Sequence, residues 1–167
     1  MTDEEKVEGE IPTGLSVKLL NMRTISYPFI IFSTRLTRFL GRAVSLGDSA
    51  MAITFWPFII VRSNLKHATV LPELIRHETI HIRQQLELLL IGAWILYGLE
   101  YFYARHIKKL DKRQAYYHTA MEQEAHRNAM KPDYIKNRKP YAVLRYITDK
   151  KMLGRTATGE LIEKDFA

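Results

Sequence analysis

The 167-residue chain contains no cysteine. Disulfides, thiol catalysis and Cys-type zinc sites are therefore excluded, and any metal must be held by His, Asp or Glu. The chain also lacks an apolar run long enough to span a bilayer. Its most apolar stretch, 86–104, has an uncharged core only from Leu88 to Leu99, flanked by Glu87 and Glu100. A span wants about 20 predominantly apolar residues, so a buried core helix is the first expectation and an interfacial or membrane-inserted helix its rival. The N-terminus shows no positive segment leading into an apolar run, so no signal peptide is expected. A cytoplasmic protein is expected, with 86–104 as its route to membrane-surface contact. No RNP motif or zinc finger is present, which makes nucleic acid an unfavoured partner.

What is there begins with charge. The net charge is +7, but residues 1–10 hold five acids and one Lys, so the rest of the chain carries +11. A basic body suits an acidic partner or an anionic surface, and is also what a solvated basic face looks like. The length fits one domain with a real core. The expected division is a disordered tail over 1–13, a single domain over 14–153 and a loose C-terminal tail over 154–167.

Local patterns predict an α+β domain, mainly helical. Residues 51–62, rich in β-branched and aromatic types, read as a strand. Pro57 within it argues for an edge strand or a break. Such an edge can pair with an extended peptide. The stretch from Ser33 to Leu40 fits either strand or helix, and Gly47-Asp48-Ser49 signals a turn. Pro72 and Glu73 suit the first turn of a helix that meets no breaker until Gly92. Residues 114–130 read as a further helix ending before Pro132. Pro140 opens a last one, from Tyr141 to about Met152, with Leu144 and Ile147 facing inward.

The helix that begins near Pro72 contains His77-Glu78-Thr79-Ile80-His81, an HExxH pattern. Residues four apart lie on one helix face, so His77 and His81 can direct two imidazoles at one point. Glu78, about 100° further round, reaches a water held there rather than the metal. This is the chemistry of a zinc hydrolase with one ion, which needs three protein ligands and an open position. Gln84 and Gln85 read as helix surface or as supports for the ligands. In the later helix His118, Glu122 and His126 recur at i, i+4 and i+8, and any of the three can supply the third ligand. Glu124 points away from that face.

HETIH followed some forty residues later by Glu122-Gln123-Glu124-Ala125-His126 resembles the gluzincin group of zinc metallopeptidases. ITFWPFIIVRS, YGLEYF and AYYHTAMEQEA extend a similarity to small bacterial HExxH proteins over about residues 50–147. The resemblance implies a minimal zincin-like fold, with a small sheet or edge strand beside the HExxH helix. It implies zinc held by His77, His81 and Glu122, with Glu78 as general base and a peptide or protein as substrate. His126 falls where the group often has Asp. His126, His118, Tyr116 and Tyr117 are candidates for supporting the ligands or the transition state. Two rival functions stand beside this one. In the first, the metal only stabilises a non-catalytic module that binds a membrane or protein surface. In the second, a basic nucleic-acid-binding domain carries HETIH by chance.

Overall fold

A computed structural model describes residues 28–43, 50–155 and 161–165. The expected 1–13 tail and the Gly47-Asp48-Ser49 turn lie outside them. The architecture is α+β, helical in the main, with a three-stranded mixed sheet and a two-stranded one.

The chain enters through β1 (Phe29–Phe32) and α1 (Thr34–Ala43). The stretch from Ser33 to Leu40, open to either structure by pattern, thus turns helical: Ser33 Oγ accepts from Leu36 N, satisfying a first-turn donor. Residues 51–62 form a hairpin instead of one strand. β2 (Ala52–Phe55) and β3 (Phe58–Val61) pair antiparallel around Trp56-Pro57, whose peptide bond is cis. Pro57 therefore acts as the break. β3 is central, with β1 parallel on its other side, and β2 is an edge strand.

α2 (Leu71–Glu87) carries Pro72 and Glu73 in its first turn, as their chemistry requires. It packs on the sheet through Ile82, Leu74, Ile75 and Leu86 against Ala52, Ile59 and Val61. The helix stops four residues sooner than expected. Leu89 and Leu90 both take positive φ, near +55° and +58°, a conformation that costs a side-chain-bearing residue roughly 1–2 kcal/mol. The following helix, α3 (Ile91–Phe102), departs at 110° to α2. No single helix among the described residues is long and apolar enough to cross a membrane.

α3 buries Ala93 against Ala120, Met121 and Val143, with Tyr97 at the margin. The rest corrects the core-helix expectation for 86–104. Ile91, Ile95, Leu99 and Phe102 are all exposed, because α3 is covered on one side only.

The expected 114–130 helix is two helices, α4 (Lys112–His118) and α5 (Ala120–Asn128), separated at Thr119. Thr119 is extended and its hydroxyl faces the N–H of Glu122. Threonine followed three residues later by glutamate is a helix-start signature, and here it overrides the helix propensity on either side. A short α6 (Tyr134–Asn137) follows. The last expected helix is only a 3-10 segment, Ala142–Ile147, which buries Ala142 and Val143 while Leu144 and Ile147 face out. Beyond it, β4 (Lys151–Arg155) pairs antiparallel with β5 (Leu161–Asp165). The span 154–167, expected to be loose, thus contains a strand.

Candidate metal centre

α2 and α5 pack side by side and bring the HExxH face onto the first turn of α5. One helical turn separates His77 and His81, and their Nε2 atoms lie 3.1 Å apart. Glu122 reaches between them. Its Oε1 is 3.2 Å from His81 Nε2 and its Oε2 is 3.5 Å from His77 Nε2. His126, one turn further along α5, places Nε2 3.3 Å from Glu122 Oε2 and lays its ring against that of His77. His77, Glu122 and His126 form a buried group able to hold a metal ion, with donor atoms within 4.8 Å of one another.

The residues fit a cation. Glu122 Oε2 and both ring nitrogens of His126 are buried, and although Oε2 and Nε2 lie 3.3 Å apart, none of the three atoms makes a well-aligned hydrogen bond among the described residues. Buried polar atoms left so are costly unless something else satisfies them. Imidazoles with a carboxylate make a nitrogen and oxygen donor set suited to zinc and other transition metals.

The electrostatics agree. Burial lowers the His77 pKa, and His126 adds to that effect against the pull of Glu122. Burial also works against the charge of His81, but Glu122, Glu78 and Gln84 outweigh it and raise His81 to about 9. Glu122 is held well below the usual carboxylate range: burial opposes its charge, and the three histidines more than compensate.

Supports extend outward from these groups. His81 Nδ1 donates to Gln84 Oε1 at 2.7 Å, which leaves Nε2 as the ring atom that a metal would take in place of its proton. Gln84 is itself held, donating through Nε2 to Met121 O at 3.1 Å and to Glu124 Oε2 at 3.0 Å. Glu124, fully buried, accepts from Tyr134 Oη and from the Arg138 guanidinium, and Arg138 also pairs with Glu87. Of the two expected roles for Gln84, helix surface or ligand support, the structure shows the second, and i, i+3 spacing is what puts it on the His81 face.

Glu78 is buried, and its Oε2 accepts from Thr54 Oγ1 at 2.6 Å. Thr54 lies on the edge strand, so the sheet sets the position of this carboxylate. Gln85 lies along the same edge. Its side-chain amide accepts from Trp56 N and donates to Thr54 O. The β2 edge expected to pair with a peptide is thus already paired with Gln85 at these two groups.

A cleft of about 600 Å³, counted to its open mouth, runs along this face. Glu78, His81 and Glu122 lie in its polar wall, and Trp94, Tyr97 and Met121 line the apolar sides. Tyr116 is there too. Burial, then the charge of Glu122 and a hydrogen bond to it, raise its pKa well above the ordinary value, so the hydroxyl stays protonated. Tyr117 instead lies edge-on to His126 and beneath Arg113. His118 does not join the cluster. The break at Thr119 ends the i, i+4, i+8 register, and its charged neighbours are Lys150 and Lys108.

Comparison with protein-family models, with curated proteins and with solved structures returns no match. The chemistry of the site rests on its geometry.

Proposed function

We propose that the protein is a zinc-dependent metallopeptidase of the gluzincin type, a minimal zincin-like domain. The observation that carries this reading is the cleft wall, where Glu78, His81 and Glu122 face one space, with His77 beside them. His77, His81 and Glu122 are assigned as the ligands. Zinc held by these residues would supply Lewis-acid chemistry and an acidified water for attack on a carbonyl. Glu78 takes the proton of the attacking water and passes it to the departing amine. The hydrogen bond from Thr54 holds the carboxylate for that transfer. The Tyr116 hydroxyl, protonated and on the cleft wall, donates to the oxyanion. Apolar walls and Trp94 favour a substrate with an apolar side chain next to the cleaved bond.

His126 supports a second reading. With it the cluster offers four protein donors, which fills a tetrahedral ion and is the pattern of a structural zinc site. In that case the metal stabilises a non-catalytic binding module.

The test is metal analysis and cleavage of a denatured protein substrate. On the peptidase reading, one zinc is bound and cleavage stops with a chelator. Glu78→Gln keeps the metal but loses cleavage, and His126→Ala keeps most of both. On the structural reading, no preparation cleaves, and His126→Ala loses the metal and unfolds at lower temperature.

A further inference from the structure

The outer face of α3 has no counterpart in the chemistry of the cleft. Ile91, Ile95, Leu99 and Phe102 recur at intervals of four, four and three, which is one stripe along a helix. They are 73%, 55%, 66% and 59% exposed, and Leu89 and Ile107 extend the stripe at either end with 82% and 64%. The only charged residue of α3 is Glu100, and it turns inward. Its Oε2 accepts from Ala120 N at 2.8 Å, and its Oε1 meets Lys150 Nζ. The outer face of this helix therefore carries no charge at all.

A basic run follows directly. Arg105, Lys108, Lys109, Lys112 and Arg113 fall within nine positions, with Asp111 the one acid among them. Asp111 is engaged locally, accepting from Gln114 N at 2.8 Å to cap α4.

We infer that α3 and the basic run after it form a docking face for an anionic lipid bilayer. The order of chemistry matches the layering of that surface. An apolar stripe enters the acyl boundary, half-exposed Tyr103 sits at the interface, and cations meet the headgroups. A second copy of the chain is the rival occupant of the same face, and the oligomeric state separates it from a bilayer. The helix lies on the membrane and does not cross it. Twelve residues reach about 18 Å, against a hydrocarbon core of about 30 Å. α2 cannot complete a span, because it lies at 110° and buries His77, Glu78, His81 and Gln84 in the protein. This inference does not depend on peptidase activity.

The experiment is co-sedimentation of the full chain with vesicles of phosphatidylcholine alone or mixed with phosphatidylserine, with analytical ultracentrifugation beside it. Wild type is expected to sediment with the mixed vesicles, to release as salt rises, and to bind the neutral ones weakly. Ile95→Asp with Leu99→Asp abolishes binding with circular dichroism unchanged, since both positions are exposed. Lys109→Gln with Lys112→Gln weakens binding about fivefold per charge removed. The inference is overturned if wild type ignores mixed vesicles or if the Asp variants still bind. It is also overturned if those variants instead turn a dimer into a monomer.

Discussion

Thr54 donates its hydroxyl to Glu78 across 2.6 Å, from the edge strand to the HExxH helix. Among the described residues, Thr54 is the sheet side chain that hydrogen-bonds Glu78, at its carboxylate and, at 3.4 Å, at its carbonyl oxygen. Thr54→Val keeps the shape and removes the donor. The expected result is roughly a ten- to hundredfold fall in kcat with metal content unchanged, the usual scale for a partner that orients a catalytic group. Glu78→Gln measured beside it sets the floor. Equal turnover in Thr54→Val and wild type would show that the sheet does not orient Glu78.

The chain of contacts His81–Gln84–Glu124–Arg138 predicts two separable losses. The Arg138 side chain is 3% exposed and that of Glu124 is 0%. Arg138→Met strands a buried carboxylate and should cost roughly 3–5 kcal/mol in urea unfolding. Gln84→Leu removes the acceptor that fixes the His81 tautomer. It should weaken zinc binding about ten- to hundredfold in a competition titration, with Glu124 still held by Arg138.

Much of this was readable from spacing. HETIH gave the two imidazoles, and Pro72 with Glu73 gave the start of their helix, because both are local signals. Glu122 was legible as one of three choices on an assumed continuous helix. The break at Thr119 removed His118 from that face and left Glu122 and His126 together. Thr119-Ala120-Met121-Glu122 carried a capping signature, but strong helix formers on both sides masked it. Thr54, Glu124 and Arg138 were not legible, because their roles come from contacts 24 and 14 residues distant in sequence. The exposure of the outer face of α3 is not legible for a related reason. Composition reports that a helix is apolar, while tertiary packing decides how many of its sides are covered.

His118 gives a pH prediction away from the metal. It is buried, and burial, followed by Lys150 and Lys108, holds its pKa down at about 4 against an ordinary 6.5. Between those values the unfolded chain binds a proton that the folded chain refuses. Folding stability therefore falls as pH drops through that window. Urea midpoints at pH 7 and pH 5 should show a smaller drop for His118→Gln than for wild type. An identical drop in both would assign the acid sensitivity to other groups.

Thr119 joins helix geometry to the metal cluster. Its side chain is fully buried, its hydroxyl donates to Tyr116 O at 3.0 Å, and it meets the N–H of Glu122 at 3.5 Å. Glu122 is in the first turn of α5, so its direction depends on where that helix begins. Thr119→Ala loses the cap and should cost about 1 kcal/mol of stability. If the cap also aims Glu122, zinc affinity falls in the same variant. Thr119→Ser, which keeps the hydroxyl, should restore affinity while still losing the buried methyl. Loss of stability in Thr119→Ala with unchanged zinc affinity would mean that His77, His81 and His126 hold Glu122 in place without help from the helix start.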